Sequence, residues 1–363
     1  VIRSADYDEA EEYLGTTFDG LVMDLTEDLR PNDLGRLIGV VRGGGLIVLQ
    51  IPDWDEWENT LTLFQRNLAT PQHPEEEVRQ IFKRWVKRKL KEHKGIFIYN
   101  AKLRRTIRSW KDDPRELRRA ERHISIPKER LFPVKLYKLA LTQDQVEVIK
   151  LIERFVERPR KGMKRVLILT ADRGRGKSCA LGIGSAGLIH ELLKVKHRVR
   201  ILVTAPRATN VQSLMDLAFK AVRELGYDAK TFRRGGSIIE IRGDKFSIEY
   251  WEPIKIPKLK GDIVIVDEAA GLQVPMLHKI RRAHDRVLYS STIHGYEGAG
   301  RGFSVRFLQV VRGDPSVEII EYEMEEPIRY GLDDPIERWQ FDTLLLDAEP
   351  AKLTREDLKD IEE

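Results

Sequence analysis

Residues 164 to 182 read KRVLILTADRGRGKSCALG, and this stretch constrains the fold more than any other. An apolar run of strand length ends in a glycine-bearing turn, which feeds a segment of helical spacing. Strand, glycine turn and helix in that order belong to sheets whose strands run parallel. Gly174 and Gly176 tolerate the unusual dihedrals that a tightly curled turn needs, and Lys177 and Ser178 follow at once. The pattern is GxxxxGK[ST] with Ala171 in place of the first glycine. In such a loop the backbone amides and the lysine grip phosphates, the serine hydroxyl holds Mg2+, and the helix N-terminus adds roughly +0.5 charge. ATP and Mg2+ are the ligands this predicts. Cys179, the single cysteine, reads as a small core residue of the same helix and excludes an internal disulfide.

The rest of the second half fits. The runs RVLILT, RVRILVTAP, FSIEYWEP, DIVIVDEAA and RVLYSSTIHG read as strands, with helical segments such as NVQSLMDLAFKAVRELG between them. The expected fold class is α/β, a P-loop NTPase with a mostly parallel, RecA-like sheet, joined to a smaller N-terminal α/β domain. Asp267 and Glu268 end an apolar strand, where Asp267 can organise the metal with Ser178 and Glu268 can polarise an attacking water. The strand VRILVTAP lies between loop and carboxylates in sequence, which predicts an extra strand separating them. Thr292 and His294 end the last of these strands, in position to sense a γ-phosphate, and Arg301 and Arg329 are candidate charge stabilisers. Gln145, in LTQDQ, has an amide that can meet an adenine edge; an N-cap at Thr142 followed by an exposed turn is the competing reading. Gly182, Gly184 and Gly187 each cost a helix up to about 1 kcal/mol, which close packing on the sheet would explain.

The chain has 363 residues and a net charge of +5, and the excess is concentrated early. Between Lys83 and Arg122 stand 16 Lys or Arg against 5 Asp or Glu, with Trp85, Phe97, Tyr99 and Trp110 interleaved. Such a tract, read as basic helices running to Arg122, can neutralise a phosphate backbone, so RNA or DNA is the expected partner. The aromatics are expected to point into a core. Before it, FDGLVMDL and GGGLIVLQIP read as buried strands around a helix started at Pro31 and Asn32, with Gly43, Gly44 and Gly45 as turn glycines. No apolar run approaches the roughly 18 residues needed to cross a bilayer and no signal sequence is present, so no membrane partner and a cytoplasmic location are expected. The expected domains are 1–135, 136–350, and a linker at 351–363.

These residues together resemble the ATPase portion of the TmcA-type RNA cytidine acetyltransferases, which make N4-acetylcytidine in tRNA or rRNA. The resemblance is carried by RPNDLGRLIGVVRGGGLIV, TADRGRGKS, VDEAA, STIHGYEGAGRGF and IRYGLDDPIERW. It implies a superfamily-1-like helicase fold for the second domain. It also implies ATP contacts from Gln145, from the run Gly174, Arg175, Gly176, Lys177, Ser178, Cys179, Ala180, Leu181, Gly182 and Ile183, and from Arg329. Lys177, Asp267, Glu268 and Arg329 would be catalytic. The acetyl-CoA loop of the family, [RQ]xxGx[GA], is absent from the sequence. The expectation is therefore a piece cut at both ends that hydrolyses ATP, binds RNA and transfers no acetyl group, acetyl-CoA and the acetyltransferase domain belonging to the full-length enzyme. A non-catalytic, nucleotide-locked RNA scaffold is the alternative; a processive helicase would need a second motor lobe.

Overall fold

The structure is a computed structural model and describes residues 2–13, 16–109, 123–292, 302–331 and 334–348. A 3-10 helix at Tyr7–Tyr13 precedes β1 (Phe18–Asp24), which pairs in parallel with β2 (Val41–Gln50) around α1 (Pro31–Ile38). Pro31 suits the first turn of α1, where its missing N–H would have no partner. The three glycines lie inside β2 and not in a turn before it. The two steps along β1 from Phe18 to Gly20 are matched by five along β2, from Val41 to Leu46, and Gly44 takes φ +77° in the bulge. A side chain at Gly45 would stand 2.6 Å from the Asp19 carbonyl, so the close approach of the strands excludes one.

Leu34 and Ile38, one turn apart on α1, meet Met23, Trp54 and Trp57 in the first core. The short α2 (Leu63–Arg66), closed by a Thr62/Gln65 capping box, and α3 (Ile81–Glu92) complete it. The basic tract is one helix followed by a hairpin, β3 (Ile98–Asn100) and β4 (Arg105–Arg108), so helices do not continue as expected. Val86 and Leu90 give α3 an apolar stripe, whereas Phe97, Tyr99 and Ile107 alternate with other residues at the two-residue period of a strand. Trp110 and the basic run 111–122 lie outside the described residues.

After α4 (Val134–Tyr137) and α5 (Gln143–Ile152), the large sheet begins with β5 (Lys164–Ala171) and α6 (Lys177–Leu192). It continues through β6 (Val199–Thr204), α7 (Gln212–Glu224), β7 (Ala229–Arg234), β8 (Ser237–Gly243), β9 (Phe246–Tyr250) and β10 (Ile263–Val266). Then come α8 (Val274–Ala283), β11 (Arg286–Thr292), α9 (Leu308–Arg312), β12 (Val317–Met324) and α10 (Pro335–Leu344). The eight strands are ordered β12-β5-β11-β10-β6-β9-β8-β7; the first six run parallel, and β7 and β8 form an antiparallel edge. Both faces are buried, one under α5, α6 and α7, the other under α8 and Phe303 and Phe307. This is the RecA-like α/β order anticipated. All five expected strands form, and β7, β8 and β12 are additional. The extra strand between loop and carboxylates is β11, since β6 lies on the far side of β10: sequence order and spatial order differ here. Among the described residues, no helix is long and apolar enough to cross a membrane.

Two packing details bear on the site. α10, from the far end of the chain, places Trp339 in the first core, with its start capped by Asp334 Oδ1 accepting from Ile336 N at 2.9 Å. The glycines of α6 face other helices and the connector, not the sheet. A Cβ at Gly182 would come 2.3 Å from the Leu214 carbonyl of α7, one at Gly184 would meet Ile152 at 2.4 Å, and one at Gly187 the Phe132 ring at 2.3 Å. Gly182→Ala is therefore expected to lower unfolding stability by about 1–3 kcal/mol through overpacking, despite alanine's better helix propensity. Urea denaturation measures it.

Candidate functional site

The ends of three neighbouring parallel strands build the site. β5 and β11 are in register so that Ala171 pairs with Thr292, and β10 follows beside β11 with Val266 opposite Tyr289. The loop after β5 and the carboxylates after β10 are thus carried to one edge of the sheet. Gly174 (φ +78°) and Gly176 (φ +84°) both adopt the left-handed conformation read from the pattern, and Gly176 caps α6. Any side chain at Gly176 would collide with Ile328 at 2.3 Å and the Gln145 amide at 2.5 Å.

Lys177 is buried. Its Nζ donates to the carbonyls of Ala171 at 3.3 Å and Asp172 at 3.4 Å and to Thr292 Oγ1 at 3.3 Å. Burial draws its pKa below the usual lysine value, while the charges of Glu268 and Asp267 act the other way. Thr292 Oγ1 in turn donates to Glu268 Oε2 at 3.2 Å, so one hydroxyl joins the lysine to the glutamate across two strands. Glu268 has φ +48°, a left-handed backbone that non-glycine residues rarely adopt.

Asp267 is fully buried. Its Oδ1 accepts from Ser290 Oγ and from Glu268 N, but Oδ2 has no hydrogen-bond partner in good geometry. Burial raises its pKa, the Glu268 charge adds to the rise, and Ser290, the nearby Ser178 hydroxyl and Lys177 oppose it. A buried carboxylate oxygen left unpaired is costly unless a cation takes it, so the donor set fits a hard divalent ion held with the Ser178 hydroxyl and phosphate oxygens. Among the described residues no cluster of three or more His, Cys, Asp or Glu would hold a metal without such help.

The other anticipated residues fall into different surroundings. Gln145 is buried, its Oε1 accepting from Leu141 N at 2.8 Å and its Nε2 donating to the Gly176 carbonyl at 3.1 Å. Thr142 caps α5, accepting from Gln145 N, so the N-cap half of the competing reading holds, but Gln145 lies buried against the loop and not in an exposed turn. The side chains of Ala180, Leu181 and Ile183 lie in the core, leaving them to position the helix. Cys179 is part-buried beside the loop and not in the core as expected, and burial pushes its thiol pKa up to about 11. Arg329 starts beside the loop, where Gly174 O accepts from Ile328 N at 3.0 Å and Arg329 N at 3.4 Å. Its guanidinium, however, donates to the carbonyls of Gly39 and, at 3.4 Å, Thr16 in the N-terminal unit. His294 and Arg301 lie outside the described residues.

Two residues were missed. Ser290, which orients Asp267, is signalled only by a polar pair inside an apolar strand. Glu337 of α10 accepts from the loop's Arg175 at 2.6 Å, with the two side chains 14% and 9% exposed. The acid of DPIERW gave no hint of a partner 162 residues away.

The basic tract divides in two. On α3, Lys87 pairs with Glu58, Lys89 with Asp342 and Glu92, and Arg88 with Glu92. Lys83 is buried against the Thr60 carbonyl, and Trp85 Nε1 donates to Thr343 O at 2.8 Å. That half is structural. On the hairpin, Arg108 donates to Leu90 O at 2.6 Å, but Lys102, Arg104 and Arg105 pair with no acid among the described residues. Phe97 and Tyr99 are 50% and 51% exposed, which corrects the expectation that the aromatics point into a core.

Residues 168–347 match the family described as RNA cytidine acetyltransferase NAT10/TcmA, helicase domain, and residues 1–101 match the N-terminal family of tRNA(Met) cytidine acetyltransferase TmcA. The chain belongs to the TmcA-type RNA cytidine acetyltransferase family. The TmcA of Pyrococcus abyssi is 46% identical over 98% of this chain and 42% of its own length; that of Thermofilum pendens is 42% identical over 97% and 44%. The chain therefore spans less than half the length of these TmcA relatives. Among solved structures, the large terminase of the thermophilic bacteriophage D6E is similar over 61% of this chain and 49% of its own, at 10% identity and a TM-score of 0.36. The strand order, not that likeness, carries the fold.

Removing Glu337 leaves the Arg175 guanidinium buried beside the loop with Asp172 3.9 Å away as its remaining carboxylate. Glu337→Ala is expected to cost about 3 kcal/mol, read as a fall in Tm, with Glu337→Gln intermediate.

Proposed function

We propose that this chain is the ATP-binding and ATP-hydrolysing module of an enzyme that makes N4-acetylcytidine in tRNA, and that hydrolysis remodels or positions the RNA for an acetyltransferase domain. The observation that carries the reading is the single edge at which Lys177, Thr292, Glu268 and the unpaired Oδ2 of Asp267 meet. Lys177 would exchange its carbonyl partners for phosphate oxygens, and Ser178 and Asp267 would hold Mg2+, which draws charge from the β- and γ-phosphates. Glu268 would polarise the attacking water, with Thr292 holding its carboxylate at a fixed distance from Lys177. Gln145 supports the loop from behind and can still offer its second N–H to an adenine edge. Arg329 would contact ATP by giving up the carbonyls of Gly39 and Thr16, linking occupancy of the loop to the N-terminal unit.

The module divides into an N-terminal unit that takes back α10 and a helicase-like unit built on the large sheet. Acetyl-CoA would bind beyond the length of this chain. RNA would be the partner on the N-terminal side, through the exposed Lys102, Arg104 and Arg105, which pair with no acid among the described residues.

Phosphate release with and without tRNA tests site and partner together. Lys177→Ala is expected to reduce turnover by about a hundredfold or more while RNA affinity stays near that of the parent. Glu268→Gln should bind ATP and fail to hydrolyse it. No turnover in the parent protein with tRNA present would leave a nucleotide-locked RNA scaffold instead.

A further inference from the structure

The hairpin of β3 and β4 carries a surface whose chemistry goes beyond charge. Phe97 and Tyr99, two residues apart and so on one face, lie nearly parallel at 11° with ring centroids 6.2 Å apart. Both are about half exposed, and Leu103 and Ile107 of the same hairpin are 57% and 38% exposed. Leaving this much apolar surface in water is unfavourable for a monomeric surface and marks an interaction site. The charge around it has one sign. From Lys94 to Ser109 the sequence contains no Asp or Glu. Asn100 Oδ1 accepts from Leu103 N at 2.8 Å and shapes the turn that presents Lys102, Arg104 and Arg105.

We infer that Phe97 and Tyr99 form a stacking platform for unpaired nucleobases, with Lys102, Arg104 and Arg105 taking the phosphates of the same strand, so that this face selects single-stranded RNA. The inference rests on the reading of the chain as an RNA-binding module and names the form of RNA it engages. Flat exposed rings offer a π-face to any base, and adjacent cations track a backbone without reading sequence. A paired helix hides its bases from such rings and would use the cations alone. A protein partner would be expected to meet some acid on this face, and the hairpin sequence supplies none.

The test is binding of a 12-nucleotide oligoadenylate and of a blunt 12-base-pair RNA duplex, followed by fluorescence anisotropy. Phe97→Ala/Tyr99→Ala should weaken the single strand by about tenfold or more and change the duplex by less than about twofold. Melting should be unchanged, because neither ring is in a core. Arg104→Ala/Arg105→Ala should weaken both RNAs and reduce the single-strand salt slope by about 1.4. An aromatic variant that holds the single strand as tightly as the parent, or loses both RNAs equally, overturns the inference. Binding of the duplex alone would overturn it while leaving the RNA-module reading intact. No binding of either RNA would remove both, and assign this face to a protein.

Discussion

The register between β5 and β11 is the constraint on which the site depends. Parallel pairing of Ala171 with Thr292 fixes where the lysine loop stands relative to the strand end carrying the hydroxyl, and pairing of β11 with β10 fixes the carboxylates in turn. A slip of one residue would turn Thr292 to the opposite face and separate Lys177 from Glu268. Such a slip is strongly opposed, because these strands are buried on both faces between two apolar cores. Stability of the sheet and geometry of the chemistry are one requirement.

Charge is placed where it costs most. Lys177 and Asp267 are both buried, and each has its pKa displaced toward the neutral form mainly by loss of water. The fold offsets this with short-range partners: backbone carbonyls and a hydroxyl for the ammonium, a serine and a backbone amide for one carboxylate oxygen. The remaining oxygen has no hydrogen-bond partner among the described residues. A site of this kind holds the groups ready, so little reorganisation is required when a charged ligand arrives.

Much of the second half was legible because its signals are local. The glycine turn, the apolar strands and the DE pair each occupy a few consecutive residues, and their chemistry dictates position. What was illegible depended on distance or on edges. β12 and β7 carry charges such as Glu318, Glu321, Arg233 and Arg234 because they lie at the sheet's margins, so the apolar signature of a buried parallel strand is weak there. The neighbour relation of β11 and β5 is spatial, and sequence order pointed to β6. The basic tract misled in a similar way: composition cannot distinguish lysines neutralised by Glu58 and Asp342 from arginines that meet no acid among the described residues. Nor could it tell a tryptophan tied to Thr343 from a phenylalanine left in water.

The return of α10 to the first core has a mechanical corollary. The polypeptide leaves the N-terminal unit, builds the large sheet, and comes back, passing between Gly174 on one side and Gly39 and Gly43 on the other. A body joined by one tether can swing freely; one joined by an outgoing and an incoming strand behaves like a door on two pins. Rearrangement between the halves must therefore disturb both crossings at once, and the loop after β5 lies beside the returning one.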